Sequence, residues 1–299
     1  MRLLLISDPV DALVLERDSS LALIRAAEER GHQVDRCDPV AIQLSRTGVV
    51  AELLGREVPI ADFDVVLVRP DPPFDADFVA LTHLLELVRD RTLIVNDPRG
   101  LRDANEKLYA LRFPDLVPAT VITASTDRIL RFVEERGTAV LKPLWGHGGR
   151  GVMLAAAGGT GLAAAAECLT RGGRSPIVAQ EHVMDPAGGD KRILMLDGAP
   201  LGAFRRIPAP GEFRANLRLG ARVLPVELGP DDQRIVELVG DALRADGLHL
   251  AGLDVIGDRL IEVNVISPTG LMEVASLSDG DPAATVIEWL EEANVHACA

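Results

Sequence analysis

The chain has 299 residues, 47% hydrophobic and 25% charged, enough for two or three packed units. A formal charge of −14 excludes the dense cationic surface that duplex nucleic acid demands, while local Lys and Arg clusters leave an anionic small ligand open. Cys37, Cys168 and Cys298 form no C-x-x-C or Cys/His cluster, no stretch approaches about 18 apolar residues, and Asp8 closes the apolar start, so a cytoplasmic, reduced protein with no nucleic-acid or membrane partner is expected.

Residues 2–7 predict a buried strand, and a helical pattern covers 18–30, with Asp18 or Ser19 as N-cap and Gly31 as the stop. Segments 34–37, 63–69 and 92–96 predict short strands, with a helix over 76–89 between the last two. The alternation predicts a parallel, doubly wound sheet. Ligands gather at the carboxyl ends of such strands, which makes Ser7-Asp8-Pro9 and Arg69-Pro70-Asp71-Pro72-Pro73 candidate binding loops. One helix over 101–112 ends this unit. A smaller unit follows: strand 119–122, helix 126–136, strand 139–144, a glycine loop at 146–151, strand 152–155, helix 161–171 and strand 177–182. Beyond Asp190 the pattern predicts strands 191–197 and 200–207, a loop near 209–220, helix 231–246, a hairpin over 250–265 and helix 282–293.

Lys107, Lys142 and Lys191 are the only lysines among 31 Lys plus Arg. Where Arg fills most positive positions, a retained Lys suits a compact ammonium charge for nucleotide phosphates, although coding drift could also leave three behind. Lys142 precedes the loop Trp145-Gly-His-Gly-Gly-Arg-Gly151, which includes Gly148 and Gly149. This loop lacks the Gly-Lys-Ser/Thr ending of a Walker A loop and is no dinucleotide fingerprint. A Gly-rich hairpin tip can lay backbone N–H groups over phosphates, though many hairpins without nucleotides are Gly-rich too.

Gly252 to Asn264 reads as a hairpin turning at Gly257-Asp258-Arg259. A three-residue loop sets Asp254 opposite Glu262, with Asn264 on the same face, whereas a two-residue turn sends Asp254 to the other side. Leu253, Val255, Ile261 and Val263 are expected on the buried face. Two carboxylates and an amide, without His or Cys, suit Mg²⁺ better than a caged Ca²⁺. Lys191-Arg192, Arg205-Arg206, Arg214 and Arg218, with Asn216 between the last two, are concentrated enough to stabilise a transferring phosphoryl group without a protein nucleophile; ordinary surface arginine is the plainer alternative, above all for Arg218.

These segments resemble the ATP-grasp superfamily and, within it, the bacterial glutathione synthetase family. The likeness runs through Asp18-Ser-Ser, Arg69-Pro-Asp-Pro-Pro-Phe-Asp75, Thr92 to Asn96, Leu101-Arg-Asp-Ala-Asn-Glu-Lys-Leu108, Leu141-Lys-Pro143, Gly189-Asp-Lys-Arg192, Arg206-Ile-Pro208, Arg214-Ala-Asn216 and Gly252 to Thr269. The resemblance implies an α/β ATP-grasp fold of three domains: an N-terminal doubly wound parallel sheet over 1–103, a small central lid domain over 104–187 and a C-terminal antiparallel-sheet domain over 188–299. It implies that Lys107, Lys142 and the glycine loop bind ATP phosphates, with Lys191 in the same set. Asp190 would take the ribose, and Gln180, Glu181, His182 and Val183 the adenine. Asp254, Glu262 and Asn264 would hold Mg²⁺, or Mn²⁺ in its place. Arg192 and Arg206, with Arg214 and Asn216 on a mobile lid over 208–222, would stabilise charge; Asp18, Ser19, Arg69, Ser267 and Thr269 would hold substrate.

The implied reaction activates the γ-glutamylcysteine carboxylate as an acyl phosphate, which the amine of glycine then displaces, giving glutathione, ADP and phosphate. A different peptide or amino-acid pair is the alternative. The resemblance also implies a tetramer or dimer. The chain departs from the family at Trp145-Gly-His147-Gly-Gly-Arg150, at the Glu181-His182 hinge and at Met272, where altered ATP cover, altered adenine stacking and an altered substrate end are expected. No residue stands out as a base for the amine.

Overall fold

The computed structural model describes residues 1–8 and 18–297, so Pro9 of the first candidate loop and Cys298 lie outside the described residues. Strands β1 (Arg2–Ser7), β2 (Gln33–Cys37), β6 (Val65–Arg69) and β7 (Leu93–Val95) form a parallel sheet in the order β2-β1-β6-β7. Period-2 alternation gives it two apolar faces. Leu3, Leu5, Val65 and Leu67 pack toward helix α1 (Ser19–Glu29), while Leu4, Ile6, Val66 and Val68 pack toward α2 (Ala76–Glu86). The doubly wound expectation holds.

An antiparallel meander, β3 (Ile42–Ser45), β4 (Gly48–Leu53) and β5 (Arg56–Pro59), went unread in the sequence. Its second turn is Leu54-Gly55, both at positive φ (50° and 75°), a conformation that usually advertises itself as Asn-Gly.

The single helix expected over 101–112 is instead α3 (Pro98–Asp103), α4 (Glu106–Tyr109) and a 3-10 turn at Ala110–Arg112. Ala104 is extended, and the Asn105 side chain accepts from the Lys107 and Leu108 amides at 3.0 and 3.1 Å. Such an N-cap ends one helix by starting another.

The central unit comprises β8 (Thr120–Thr123), α5 (Thr126–Arg136), β9 (Thr138–Pro143), β10 (Met153–Ala156), α6 (Leu162–Leu169) and β11 (Ile177–Glu181), in an antiparallel sheet ordered β10-β9-β11-β8. Ile129, Val133, Ala139, Leu141, Ala155, Ala166, Ile177 and Ala179 give it a core of its own. The third unit is an antiparallel sheet ordered β14-β13-β12-β15-β16, from β12 (Asp190–Leu196), β13 (Ala199–Ile207), β14 (Arg222–Pro225), β15 (Leu250–Ile256) and β16 (Arg259–Asn264). One face buries Ile193, Met195, Ala251 and Leu253 with Ile235 and Val239 of α7 (Pro230–Ala245). The other carries Leu194, Leu196 and Phe204 against α8 (Leu271–Leu277) and α9 (Pro282–Ala297). Strand β14 and helix α8 were also unread.

Candidate active site

Strands β9 and β11 bury Ala139, Leu141, Ile177 and Ala179, so Val140, Lys142, Val178 and Gln180 face the opposite way. Lys142 Nζ donates to Gln180 Oε1 at 3.0 Å, and Gln180 Nε2 donates to Thr120 Oγ1 at 3.1 Å. Gln180 therefore fixes this lysine as well as lining the cavity expected for adenine. Lys107, on α4, reaches the same space and donates to the Gly146 carbonyl at 2.6 Å. From the other side Glu262 Oε1 approaches Lys142 Nζ to 3.6 Å and Lys107 Nζ to 4.0 Å. Burial first, and then Lys107, push the Lys142 ammonium down, against the opposing pull of Glu262.

Asp254 pairs with Glu262 across β15 and β16, but not through the expected turn. The turn has two residues, Gly257 and Asp258, with Ile256 opposite Arg259 and Val255 opposite Leu260. One extra residue, Ile261, then shifts the register, after which Asp254 faces Glu262 and Gly252 faces Asn264. This β-bulge restores the face that the short turn would have lost. It also corrects the expected packing: Leu260 enters the core, whereas Ile261 lines the cavity.

On β12 and β13, Asp190, Arg192 and Arg206 lie on the face of Asp254, beyond the apolar Leu194, Leu196 and Phe204. Arg192 donates Nε to Asp254 Oδ1 at 2.6 Å and Nη2 to Oδ2 at 3.2 Å. Arg206 grips Asp190 at 2.7 and 2.6 Å and approaches Asp254 Oδ1 at 3.0 Å. Burial pushes the Asp254 carboxyl up, yet the two guanidiniums hold it below the usual carboxylate range, at about 2. Asp190, sharing Arg206 but lacking Arg192 as an ion-pair partner, is pushed up by burial. Gly252 leaves the room: a Cβ there would sit 3.3 Å from Arg192 Cδ. Lys191 alternates to the opposite face, where it pairs with Asp232 of α7 and donates to the Gly257 carbonyl at 3.0 Å. Its expected place beside ATP is therefore corrected, since period 2 points it away. Arg205 likewise holds Asp185, at 2.8 Å.

Lys107, Lys142, Gln180, Asp190, Arg192, Arg206, Asp254, Glu262 and Asn264 line one cavity of about 410 Å³, together with Gly148, Gly149, Glu181, His182, Val183, Arg214 and Asn216. That size suits a small-molecule site. A larger hollow of about 1210 Å³ at Phe63, Asp64, Thr92 and Leu93 lies at the amino ends of β6 and β7, away from these groups. The glycine loop and the 208–222 segment meet at the cavity: Arg214 Nη1 donates to the Gly149 carbonyl at 2.8 Å. A side chain at Gly149 would be strained at φ +75°, and its Cβ, 2.7 Å from Asn216 Oδ1, would push that amide aside. His147 lines the cavity, and burial followed by Arg150 and Arg218 pushes its imidazole down. Trp145 stacks instead on Phe74, with ring centroids 5.5 Å apart and 24° between planes. Its bulk thus joins the glycine loop to the 70–75 loop.

A smaller cavity, about 120 Å³, adjoins the first and is lined by Ser267, Thr269, Asp71 and Arg218 with Arg192, Arg206 and Asn264. Arg218 stays largely exposed, as the plainer alternative had it, with its Nη2 2.6 Å from the exposed Asp71 Oδ2 at the cavity edge. Met272, expected at the substrate end, lines neither cavity. Asp18, Ser19 and Arg69 line neither and do structural work. Asp18 caps α1 through the Ser20 and Leu21 amides, and Ser19 Oγ accepts from Gly270 and Leu271 N–H at the start of α8. The buried Arg69 donates to Ser20 Oγ at 2.9 Å and the Pro268 carbonyl at 3.0 Å. Ser267, at φ +46°, is pinned by its bond to the Pro70 carbonyl at 2.7 Å. Glu106 went unread. It lines both cavities, and burial, then Glu262, pushes its carboxyl up to about 7. The signal available in sequence was its position beside Lys107 in Asn-Glu-Lys.

Among the described residues no cluster of three His, Cys, Asp or Glu side chains could hold a metal; the donor set is two carboxylates and the Asn264 amide on one face. Those hard oxygens fit a divalent cation, which would share both carboxylates with the cationic side chains beside them and would supply positive charge for phosphate oxygens.

A central lid-like sheet over an antiparallel sheet, with Lys142 on one, Lys107 on the helix beside them and a carboxylate hairpin on the other, defines an ATP-grasp enzyme. Solved structures agree on the fold: the ATP-grasp ligase PsnB (TM-score 0.69, 18% identity, 97% of this chain and 98% of that one) and D-cycloserine synthetase DcsG (TM-score 0.68, 20% identity, 97% and 100%). The family models for the prokaryotic glutathione synthetase N-terminal domain and ATP-grasp domain match residues 1–102 and 106–279. Glutathione synthetases of Thermosynechococcus vestitus (37% identity, 97% of this chain and 99% of that one) and Parasynechococcus marenigrum (39% identity, 97% and 99%) are similar throughout. The chain belongs to the prokaryotic glutathione synthetase family. Its activity is ATP-dependent, ADP-forming carboxylate–amine ligation that yields glutathione, with divalent-metal dependence and small-molecule substrates.

Proposed function

We propose that this ligation takes γ-glutamylcysteine and glycine, and that the two adjoining cavities divide the work. The observation that carries the reading is the meeting of Lys107 and Lys142 with Glu262 in the 410 Å³ cavity. At an effective dielectric near 20, a charge pair at 3.6 Å is worth roughly 4–5 kcal/mol before desolvation. Each added phosphate oxygen would meet the same ammonium groups. ATP supplies the phosphoryl group that activates the dipeptide carboxylate, and a divalent cation, Mg²⁺ or Mn²⁺, neutralises its charge.

Lys107, Lys142 and the Gly148-Gly149 backbone hold phosphates, while Asp254, Glu262 and Asn264 hold the cation. Gln180 keeps Lys142 in place, and Glu181, His182 and Val183 face the base. Asp190 reaches the ribose on exchanging its bond to Arg206. That exchange releases one of the two carboxylates on Arg206, which with Arg192, both still beside Asp254, would stabilise the phosphoryl and tetrahedral species. Arg214 and Asn216 hold the glycine loop down, which excludes water from a reactive acyl phosphate. Ser267 and Thr269 line the dipeptide side; Asp18, Ser19 and Arg69 shape it from behind.

Three domains, 1–103, 104–187 and 188–299, are supported by the separate central core and by the break at Ala104. Among the described residues no helix is long and apolar enough to cross a membrane. The net charge of −14 disfavours a nucleic-acid partner, and the family resemblance is the ground for a cytoplasmic enzyme working as a tetramer or dimer. The test is ADP release and product identity with γ-glutamylcysteine plus glycine. Turnover at background with this pair, and above it with another, would reassign the substrates.

A further inference from the structure

Every carboxylate on the cavity walls near the phosphate groups has a cationic partner: Asp254 has Arg192 and Arg206, Asp190 has Arg206, Glu262 has Lys142, and Asp71 has Arg218. Glu106 is the exception there: no hydrogen bond or ion pair engages its carboxylate among the described residues, and Glu181, unpaired as well, lines only the 410 Å³ cavity, at the end expected for adenine. Glu106 is also the one carboxylate that lines both the 410 Å³ cavity and the 120 Å³ cavity beside it. Its backbone is fixed at the first turn of α4 by the Asn105 cap, next to Lys107.

An unpaired carboxylate in a desolvated wall is costly unless a ligand supplies the opposite charge. The phosphates and the dipeptide carboxylate are anions, matched by Lys107, Lys142, Arg192 and Arg206. The acceptor brings an ammonium group, for which those cations are the wrong sign. We propose that Glu106 binds the ammonium of the acceptor amino acid at the junction of the two cavities and orients its nitrogen toward the activated carboxylate. This rests on the ligase reading above. It adds a binding residue for the second substrate, at a position that holds the amine within reach of both cavities. The selection is by charge and place: an amine that must attack across the junction is held by the only wall group of opposite charge that borders both sides.

The experiment compares wild-type protein that forms glutathione with Glu106→Gln and Glu106→Asp. In Glu106→Gln the KM for glycine should rise about tenfold or more, as expected for loss of a partly buried charge partner, while the KM values for ATP and γ-glutamylcysteine stay within about twofold. Glu106→Asp should recover part of the loss. Calorimetric titration of glycine into protein with ADP and Mg²⁺ should show the same weakening without turnover, and thermal unfolding checks that the variants are folded. An unchanged glycine KM overturns the proposal. So does a raised divalent-cation requirement or ATP KM of equal size, which would assign Glu106 to the phosphate side. Because the comparison begins with active wild-type enzyme, failure of the ligase assignment shows itself separately.

Discussion

Lys142 and Glu262 face each other at 3.6 Å across the boundary between the central and C-terminal sheets, although they are 120 positions apart in the chain. Neither sheet alone contains the site.

Replacing Glu262 with Gln should therefore lower ligation by at least about 100-fold, the scale of losing a charged stabilising group in a water-poor site. The side chain keeps its size, so circular dichroism and thermal unfolding should stay close to wild type. Unimpaired ADP release in this variant would remove Glu262 from the site.

Inserting a glycine after Ile261 should be worse for activity than deleting Ile261. With Ile261 deleted, the two-residue turn still sets Glu262 opposite Asp254 and Asn264 opposite Gly252, so the shared face survives without the bulge. A second extra residue shifts the pairing by one, and Glu262 and Asn264 leave that face. We expect metal-dependent ATP turnover to vanish in the insertion and to survive, with a raised ATP KM, in the deletion and in Ile261→Ala.

Lys191 offers the opposite pattern. Its partner Asp232 is buried and also accepts from the Gly229 amide at 3.0 Å. Lys191→Met strands that carboxylate and should cost about 3–5 kcal/mol of stability in denaturant titrations. The ATP KM of the folded fraction should change little. A large ATP KM effect with unchanged stability would return Lys191 to the phosphates.

A pH effect is expected far from the site. The Arg30 hydrogen bond, opposed by slight burial and reinforced by His32, holds the Glu291 carboxyl down at about 2. A depressed folded-state value contributes stability above the ordinary value of 4.5, and the contribution fades as pH falls toward 2. Glu291→Gln should flatten that part of the acid dependence of the unfolding midpoint. An identical acid profile in the variant would show that the α1–α9 ion pairs carry none of it.

Much of this molecule was legible because local physics and global fold agree. The strands at 2–7 and 63–69 are apolar on both faces, as parallel strands between helix layers must be, and α5 falls at 126–136 because Ser125 caps it and Gly137 ends it. Three failures have a common cause. The 101–112 helix, the Lys191 placement and the turn at 257–258 each depended on where one side chain or one extra residue sends the backbone. Asn105 can cap or continue a helix. Lys191 and Arg192 are adjacent, so only the burial of β12 decides which faces the cavity. Ile261 reads as a core residue until the register of the whole hairpin is known. Asp18, Ser19 and Arg69 sit near the right segments yet bond to α1, to the start of α8 and to the Pro268 carbonyl, because a motif fixes neighbourhood before it fixes contact.

The stacking of Trp145 on Phe74 gives the enzyme an optical gauge. The chain has two tryptophans, and the other, Trp289, packs near His249 on the C-terminal helix. With Trp289 changed to Phe, emission would come from the indole that bridges the glycine loop and the substrate-side loop. Parting of those loops would then be visible as a change in colour and polarisation, with no dye attached.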